Sequence, residues 1–152
     1  MRAVIQRVTA AAVKVDGETI GSCKKGLCIL LGVAEGDTEA EAEMLLRKIL
    51  QLRIFRDENG KMNLSLLDTG GELLVVSQFT LLANCRHGNR PDFLLSAKPE
   101  TAKRLYLYFI EMARRQVPSV GEGSFGADME VSICNDGPVT IVLDTDTLKA
   151  KG

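Results

Sequence analysis

This chain lacks the features that mark a secreted, membrane-spanning or broadly nucleic-acid-binding protein. Its 152 residues include only four cysteines, few and irregularly spaced for a chain with a full-size core, unlike a disulfide framework. The longest apolar stretch, residues 27–31, is far shorter than a bilayer span. Nineteen basic and twenty acidic side chains leave a net charge of −1, so no general electrostatic attraction to nucleic acid is expected. We therefore expect a cytoplasmic protein that does not enter membranes and whose RNA contacts come from a local patch.

Alternating apolar residues predict that the chain opens as a β-meander. The first strand covers residues 4–15 and ends at the hairpin dipeptide Asp16-Gly17, and residues 18–23 return beside it. The continuous apolar run 27–33 is typical of a strand buried on both faces. Further strands are predicted over residues 73–82, 129–134 and 139–144.

Two main helices are predicted between these strands. Thr38-Glu39-Ala40-Glu41 matches a capping box, and apolar residues recur at helical spacing up to Leu50. A second helix has Pro99 in its first turn and runs to about Gln116. We therefore expect an α+β fold in a single domain, with mostly antiparallel sheets that are barrel-like or layered. Residues 1–145 would form this domain and residues 146–152 a loose C-terminal tail.

The first of two informative segments is Ser77-Gln78-Phe79-Thr80, hereafter the first motif, inside the strand predicted over residues 73–82. Strand alternation would place Ser77 and Phe79 on one face and Gln78 and Thr80 on the other. Two hydroxyls and a carboxamide in an apolar strand either satisfy neighbouring backbone groups or form a binding site. The functional interpretation is ester chemistry, with N–H groups at the strand end acting as an oxyanion hole.

A base for such chemistry is not obvious in the sequence. The only histidine, His87, lies in the loop that follows, and spacing alone does not exclude a triad of Ser77, His87 and Asp92. Cys85 and His87 form a Cys-x-His pair, but a structural zinc site needs four ligands and no second pair accompanies this one. The sequence therefore predicts neither a metal nor a cofactor.

The second informative segment, hereafter the second motif, is Asn135-Asp136-Gly137-Pro138-Val139-Thr140, between the last two predicted strands. A plain tight turn would account for these residue types. The pair Gly137-Pro138 also suits a close-fitting site, because it offers no Cβ on one residue, no N–H on the next and rigidly presented carbonyls. By contrast, the GxGxxG pattern at residues 121–126 follows a helix and leads into a strand, so it is interpreted as a glycine-rich connection rather than a dinucleotide site.

Together, the two motifs resemble those of the D-aminoacyl-tRNA deacylases. The resemblance extends to residues 1–8, 89–93 and 125–129, and so covers nearly the whole chain. It implies a homodimer that hydrolyses the ester between a D-amino acid and the terminal adenosine of tRNA, and that also acts on glycine misattached to tRNA(Ala). It further implies that Gly137 and Pro138, joined by a cis bond, enter the partner's active site and reject L side chains, which is selection by exclusion.

The resemblance places Ser77, Gln78, Phe79 and Thr80 in catalysis and allows two mechanisms. In one, Thr80 is a nucleophile that forms an acyl-enzyme. In the other, the ribose 2′-OH of the substrate assists a water, while Gln78 and the N–H groups of Phe79 and Thr80 polarise the carbonyl. We favour the second, because the sequence offers no neighbouring base to activate the Thr80 hydroxyl.

Contacts to tRNA phosphates are expected from five basic side chains near the site, namely Arg86, Arg90, Lys98, Lys103 and Arg104. Two other functions compete with D-aminoacyl-tRNA hydrolysis. A paralogous deacylase that removes L-alanine from tRNA(Thr) carries threonine where this chain has Gly137, which favours the D-specific interpretation. A nucleic-acid-binding module without turnover is suggested by an animal relative linked to replication-origin DNA. The small basic patch, and only two tyrosines and five phenylalanines for stacking, argue against it.

Overall fold

A mixed sheet of six strands is the central element of the protein in the computed structural model, which describes residues 1–150. Its central strand is long and pairs antiparallel with three others: β1 (Arg2–Val15) with β2 (Glu18–Cys23), β3 (Gly26–Gly32) and β8 (Glu130–Asp144). The turn between β1 and β2 is formed by Asp16 and Gly17, both at positive φ, which confirms the predicted hairpin. Beyond β3 the sheet continues with two parallel strands, β6 (Glu72–Ser77) and β7 (Val120–Glu122).

The two ends of this sheet curl towards each other and nearly close a barrel. Strands β2 and β7 stand at opposite ends of the strand order. A Cβ on Gly21 would nevertheless lie only 2.2 Å from the carbonyl oxygen of Glu122, and one on Gly121 only 2.5 Å from that of Ser22. Glycine at these positions therefore permits the close approach that curves the sheet. The α+β class and the barrel-like sheet expected from the sequence are confirmed.

Both main helices pack against one face of the sheet. They are α1 (Glu39–Gln51) and α3 (Pro99–Arg114), and each buries a stripe of apolar side chains. Along β6, Leu73 and Val75 contact this helical layer, whereas Leu74 and Val76 belong to a smaller cluster on the opposite face. The capping box is confirmed, since the Thr38 hydroxyl accepts a hydrogen bond from the N–H of Ala40 and the Glu41 carboxylate accepts one from the N–H of Thr38.

Four short elements connect the larger ones and are not predicted by the sequence. Strands β4 (Phe55–Arg56) and β5 (Met62–Leu64) form a small antiparallel ribbon, followed by the single-turn helix α2 (Leu66–Thr69). Strand β7 uses Gly121 and Glu122 of the GxGxxG pattern, so part of the predicted glycine-rich connection is in fact strand. These elements are too short to produce a periodic sequence signal.

The strand predicted over residues 73–82 is wrong beyond Ser77. The ladder with β3 ends at the pair Leu31 and Ser77, the N–H of Gln78 makes one further bond to the carbonyl of Leu31, and Phe79–Leu82 then form a 3₁₀ turn. The turn buries Leu82 beside the sheet, which is why the apolar pattern continues after the strand stops. Strand alternation therefore does not apply to Phe79 and Thr80.

The last two predicted strands are one strand, β8, with an irregularity in its middle. Gln6 pairs with Thr140 and Val8 with Asn135, so residues 136–139 oppose Arg7 alone. The second motif is thus a bulge of four residues opposite one, in a continuous strand, rather than a turn between two strands.

The sequence predicts a loose tail after residue 145, but Thr145–Lys149 form the short helix α4. The prediction is therefore wrong for residues 146–149. The Asp144 carboxylate accepts a hydrogen bond from the N–H of Asp146, and the Lys149 ammonium lies 2.5 Å from a carboxylate oxygen of Glu41 in α1. Residues 151 and 152 of the predicted tail lie outside the described residues. Among the helices described, none is both long and apolar enough to cross a membrane.

The contact of α4 with α1 should make the free energy of unfolding decrease as the pH becomes acidic. Hydrogen bonds from Lys149 and Thr38 lower the pKa of Glu41 to about 2. A carboxylate whose pKa falls on folding stabilises the protein fully above its unfolded pKa, about 4.3, and this contribution is lost as the pH falls through the folded pKa. Glu41→Gln should therefore lower the free energy of unfolding at pH 7, and should lose less stability than the wild type between pH 6 and pH 3 in urea titrations.

Glu111→Gln is the matched control, because its carboxylate pairs with Arg115 on the exposed surface of α3. It should follow the wild-type pH dependence closely. Equal acid sensitivity in Glu41→Gln and the wild type would contradict the assignment.

Candidate active site

The first motif lies where β6 passes into the 3₁₀ turn. Ser77 and Gln78 are half-buried, whereas Phe79 and Thr80 are exposed. Arg2 fastens the turn to the end of β8, since its Nη1 donates to the carbonyl of Leu81 at 3.0 Å and its Nε to the Asp144 carboxylate at 2.7 Å. Sequence-distant strands therefore hold the exposed part of the motif in place.

A cavity of about 680 Å³ lies beside the first motif. Ser77, Gln78 and Phe79 form one part of its wall, the segment 96–99 at the start of α3 another, and residues 125–129 a third. Phe93 also borders the cavity and meets Phe79 edge-to-face, with 5.0 Å between the ring centroids. The volume and the largely apolar wall suit an organic ligand with an aromatic part.

The polar groups of the motif are arranged without a base. The Gln78 Nε2 donates to the Thr80 hydroxyl oxygen at 2.5 Å, which fixes both side chains and leaves the Thr80 proton available for donation. Within the described residues, no carboxylate or imidazole forms a hydrogen bond with Thr80. The N–H groups of Phe79 and Thr80 begin a helical turn, where backbone donors have no acceptor inside the turn.

The triad left open by the spacing of Ser77, His87 and Asp92 is not assembled. Over residues 1–150, no hydrogen bond joins any two of these side chains. His87 is exposed in its loop, and the Asp92 carboxylate accepts instead from the N–H of Leu94. The described part of the chain also contains no group of three or more side chains placed to hold a metal ion.

A buried arginine supports the second motif through hydrogen bonds and an ion pair. Arg7 is only 2% exposed; its Nε donates to the carbonyl of Asp136 at 3.0 Å and its Nη1 to that of Ile54 at 2.6 Å. The Asp136 carboxylate lies between Arg7, at 3.4 Å, and Arg56 of β4, at 3.2 Å. The peptide bond between Gly137 and Pro138 is cis, and both residues are exposed.

The two motifs do not share a site within one chain, because none of residues 135–140 borders the cavity. Sequence reasoning did not single out Arg7 as the support of the second motif. A signal existed, since Arg7 occupies a position of β1 whose alternate neighbours Ala3 and Ile5 are apolar and buried. A charged residue on a buried face requires a partner.

The five basic candidates fall into different positions. Lys98 borders the cavity at the start of α3. Arg86 and Arg90 are exposed in the loop after the 3₁₀ turn, and Lys103 is exposed on α3. Arg104 forms an ion pair with Glu39 of α1, so its charge is partly neutralised.

Comparison with known proteins gives a consistent match. The model of the D-Tyr-tRNA(Tyr) deacylase family matches residues 4–144. The chain is similar to the D-aminoacyl-tRNA deacylase of Thermosipho melanesiensis, with 58% identity over 146 residues covering 95% of this chain and 97% of that protein. It is also similar to the D-aminoacyl-tRNA deacylase of Geotalea uraniireducens, with 55% identity over 152 residues, all of this chain and 98% of that protein.

Two solved structures have similar folds. One is a c-Myc DNA unwinding element binding protein, with a TM-score of 0.89 and 48% identity, covering 95% of this chain and 98% of that one. The other is described as a probable eukaryotic D-amino acid tRNA deacylase, with a TM-score of 0.78 over 93% of this chain and 97% of that one. Its identity is 16%, so it shows likeness of fold alone.

Substitution of Gly137 tests whether the backbone and the neighbours of the bulge require glycine at this position. Gly137 has a φ of +125°, which L residues rarely adopt, and a Cβ there would lie 2.9 Å from Nη2 of Arg7 and 3.0 Å from Cγ2 of Val139. We expect Gly137→Ala to lower the free energy of unfolding by about 2 kcal/mol, since both the backbone and the contact are unfavourable. Urea denaturation at neutral pH measures the change.

Gly60→Ala is the control, because Gly60 also has a positive φ, +74°, but a Cβ there would meet no atom within 4 Å. Gly60→Ala should lower the free energy of unfolding by about 1 kcal/mol, the cost of the left-handed backbone alone. Equal losses in the two variants would mean that the Arg7 contact does not constrain Gly137.

Proposed function

Because the chain belongs to the D-Tyr-tRNA(Tyr) deacylase family and is a hydrolase acting on ester bonds, we propose that it removes D-amino acids from tRNA while sparing L-aminoacyl esters. The proposal includes removal of glycine misattached to tRNA(Ala). The observation that carries it is the apolar cavity directly beside the first motif. We place the activity in the cytoplasm, a reducing compartment that suits the four free cysteines.

The terminal adenosine of the tRNA would occupy the cavity. The Phe79 and Phe93 rings offer an apolar surface to the base, and Lys98 lies at the same wall to meet a phosphate. Arg86, Arg90 and Lys103 would contact phosphates further along the acceptor strand, with a smaller role for Arg104 because of its ion pair.

Hydrolysis would rest on polarisation of the ester carbonyl. The N–H groups of Phe79 and Thr80 would stabilise the oxyanion, and Gln78 would hold the Thr80 hydroxyl beside it. With no base in contact with Thr80, the substrate's own 2′-OH would assist the attacking water. In this mechanism Thr80 positions the substrate and forms no covalent bond to it.

Chiral selection would require a second copy of the chain. Gly137 and Pro138 are exposed and do not border the cavity of their own protomer. In a homodimer each protomer would extend this bulge into the partner's site, where the two carbonyls would collide with an L side chain but tolerate a D side chain or hydrogen. Arg7 and Asp136 would keep the bulge in place for this exclusion.

The first experiment measures deacylation of D-tyrosyl-tRNA, L-tyrosyl-tRNA and glycyl-tRNA by the purified protein without added metal. We expect rapid loss of the D and glycyl esters and survival of the L ester, because only the L side chain would meet the carbonyls of Gly137 and Pro138. Cleavage of the D and L esters at equal rates would refute the chiral filter.

Nucleic-acid binding without turnover is the second candidate, favoured by the similarity to a c-Myc DNA unwinding element binding protein. This alternative predicts no cleavage of any ester in the deacylation assay and measurable binding of the protein to duplex DNA in a separate titration. Measurable hydrolysis of D-tyrosyl-tRNA would exclude it as the sole function.

Thr80→Ala distinguishes the two chemical mechanisms. If the 2′-OH assists water, removal of the hydroxyl loses one hydrogen bond, so kcat should fall by only about tenfold. Thr80→Ser is the control, because it retains the hydroxyl and should keep most activity under either mechanism. A folded, tRNA-binding Thr80→Ala protein with no residual turnover would instead support a Thr80 nucleophile.

A further inference from the structure

A buried tyrosine links two parts of the cavity wall. Tyr106 of α3 is 1% exposed, and its hydroxyl donates to the carbonyl of Val75 at 2.8 Å and accepts from the N–H of Gly123 at 3.2 Å. Val75 lies two residues before Ser77, and Gly123 two residues before Phe125. One hydroxyl therefore joins the strand that leads to the first motif with the segment that forms another part of the wall.

The position of this hydroxyl follows from the sheet. Strands β6 and β7 run parallel, and their pairing ends at Val75 and Glu122. Beyond that pair, the N–H of Gly123 makes a further bond to the carbonyl of Val75, so this carbonyl accepts from Gly123 and Tyr106 together. The Tyr106 hydroxyl thus lies where the strand pairing ends and the two wall segments begin.

Residues 123–129 are attached to the rest of the protein at few points, namely the hydrogen bonds of Gly123, the packing of Phe125 on the main core and the packing of Met129 on the cluster of Leu74 and Val76. Within residues 1–150, the hydrogen bonds of residues 124–129 stay inside the segment: the N–H of Ala127 donates to the carbonyl of Ser124, and the N–H of Ser124 to the Met129 sulfur. The Tyr106 ring packs against Phe125, with 5.9 Å between the ring centroids. Tyr106 therefore supports this segment both by its hydroxyl, at Gly123, and by its ring, at Phe125.

The Tyr106 hydroxyl is suited to a hydrogen bond that persists at every working pH. Burial raises the pKa of Tyr106 to about 12, so the group remains a neutral donor at any pH where the protein would work. Loss of the hydroxyl would leave the N–H of Gly123 and the carbonyl of Val75 each with one partner fewer in a buried place.

We propose that Tyr106 is a positioning residue for substrate binding, which holds residues 123–129 in the place where they close the cavity around the terminal nucleoside. The inference rests on the proposed function, because it assigns the nucleoside to this cavity. Gln78 is held separately, by its backbone bond to Leu31, so the groups that polarise the carbonyl do not depend on the tyrosine hydroxyl.

The test compares Tyr106→Phe with Tyr108→Phe. Both change the same residue type on the same helix, but the Tyr108 hydroxyl bonds to Glu43 on the exposed surface, and Tyr108 does not border the cavity. For Tyr106→Phe, KM for D-tyrosyl-tRNA should rise about tenfold while kcat stays within about twofold, as expected for a binding wall that loses one buried hydrogen-bond partner. Tyr108→Phe should match the wild type.

Hydrogen exchange followed by mass spectrometry gives a readout that does not depend on turnover. In Tyr106→Phe, amides of residues 123–129 should exchange faster, while those of β1 and α1 should keep wild-type rates. Faster exchange throughout the chain with an unchanged KM would mean that the hydroxyl serves general stability, and would overturn the proposal. Unchanged exchange at residues 123–129 would overturn it as well, even if the wild type hydrolysed no ester and the proposed function itself had failed.

Discussion

The hydrogen-bond ladder along β1 is the constraint on which the rest of the structure depends. This one strand pairs with β2, β3 and β8, and it supplies the supports of both motifs. Arg2 at its start ties the 3₁₀ turn of the first motif to Asp144, and Arg7 near its middle holds the bulge of the second motif. The two supports are five residues apart on an extended strand, about 17 Å along it. The ladder therefore keeps the two motifs separate within one chain, and the proposed homodimer is the arrangement that would bring one motif of each copy together.

The arrangement around the first motif relies on backbone and amide groups rather than on titratable ones. Gln78 and Thr80 bond to each other, and the turn that follows presents its first N–H groups without an internal acceptor. Such donors suit the stabilisation of developing negative charge, because they need no proton transfer and little reorganisation. The opposite holds at Arg7, where a buried guanidinium is matched by the Asp136 carboxylate and two carbonyls. Charge is thus used to support the exposed bulge, while neutral dipoles line the proposed reaction site.

The cavity depends on contacts between elements that are far apart in sequence. Its wall combines the end of β6, the start of α3 and the segment before β8. The hydroxyl of Tyr106 bridges the first and last of these from the helix that carries part of the second. A local pattern cannot indicate such a bridge, since Tyr106 occupies an ordinary apolar position of an amphipathic helix.

The sequence by itself determined the elements whose signals are local. The Asp16-Gly17 turn, the capping box at Thr38 and the proline start of α3 each depend on neighbouring residues, and each is present as predicted. The two motifs also identified the family, because their residues are specific in themselves. Only the tertiary structure decided that the strand stops at Ser77, that the second motif is a bulge and that residues 145–149 form α4. Those outcomes depend on where the β3 ladder ends, on Arg7 bonding to a residue 129 positions away, and on Lys149 reaching Glu41 across 108 positions.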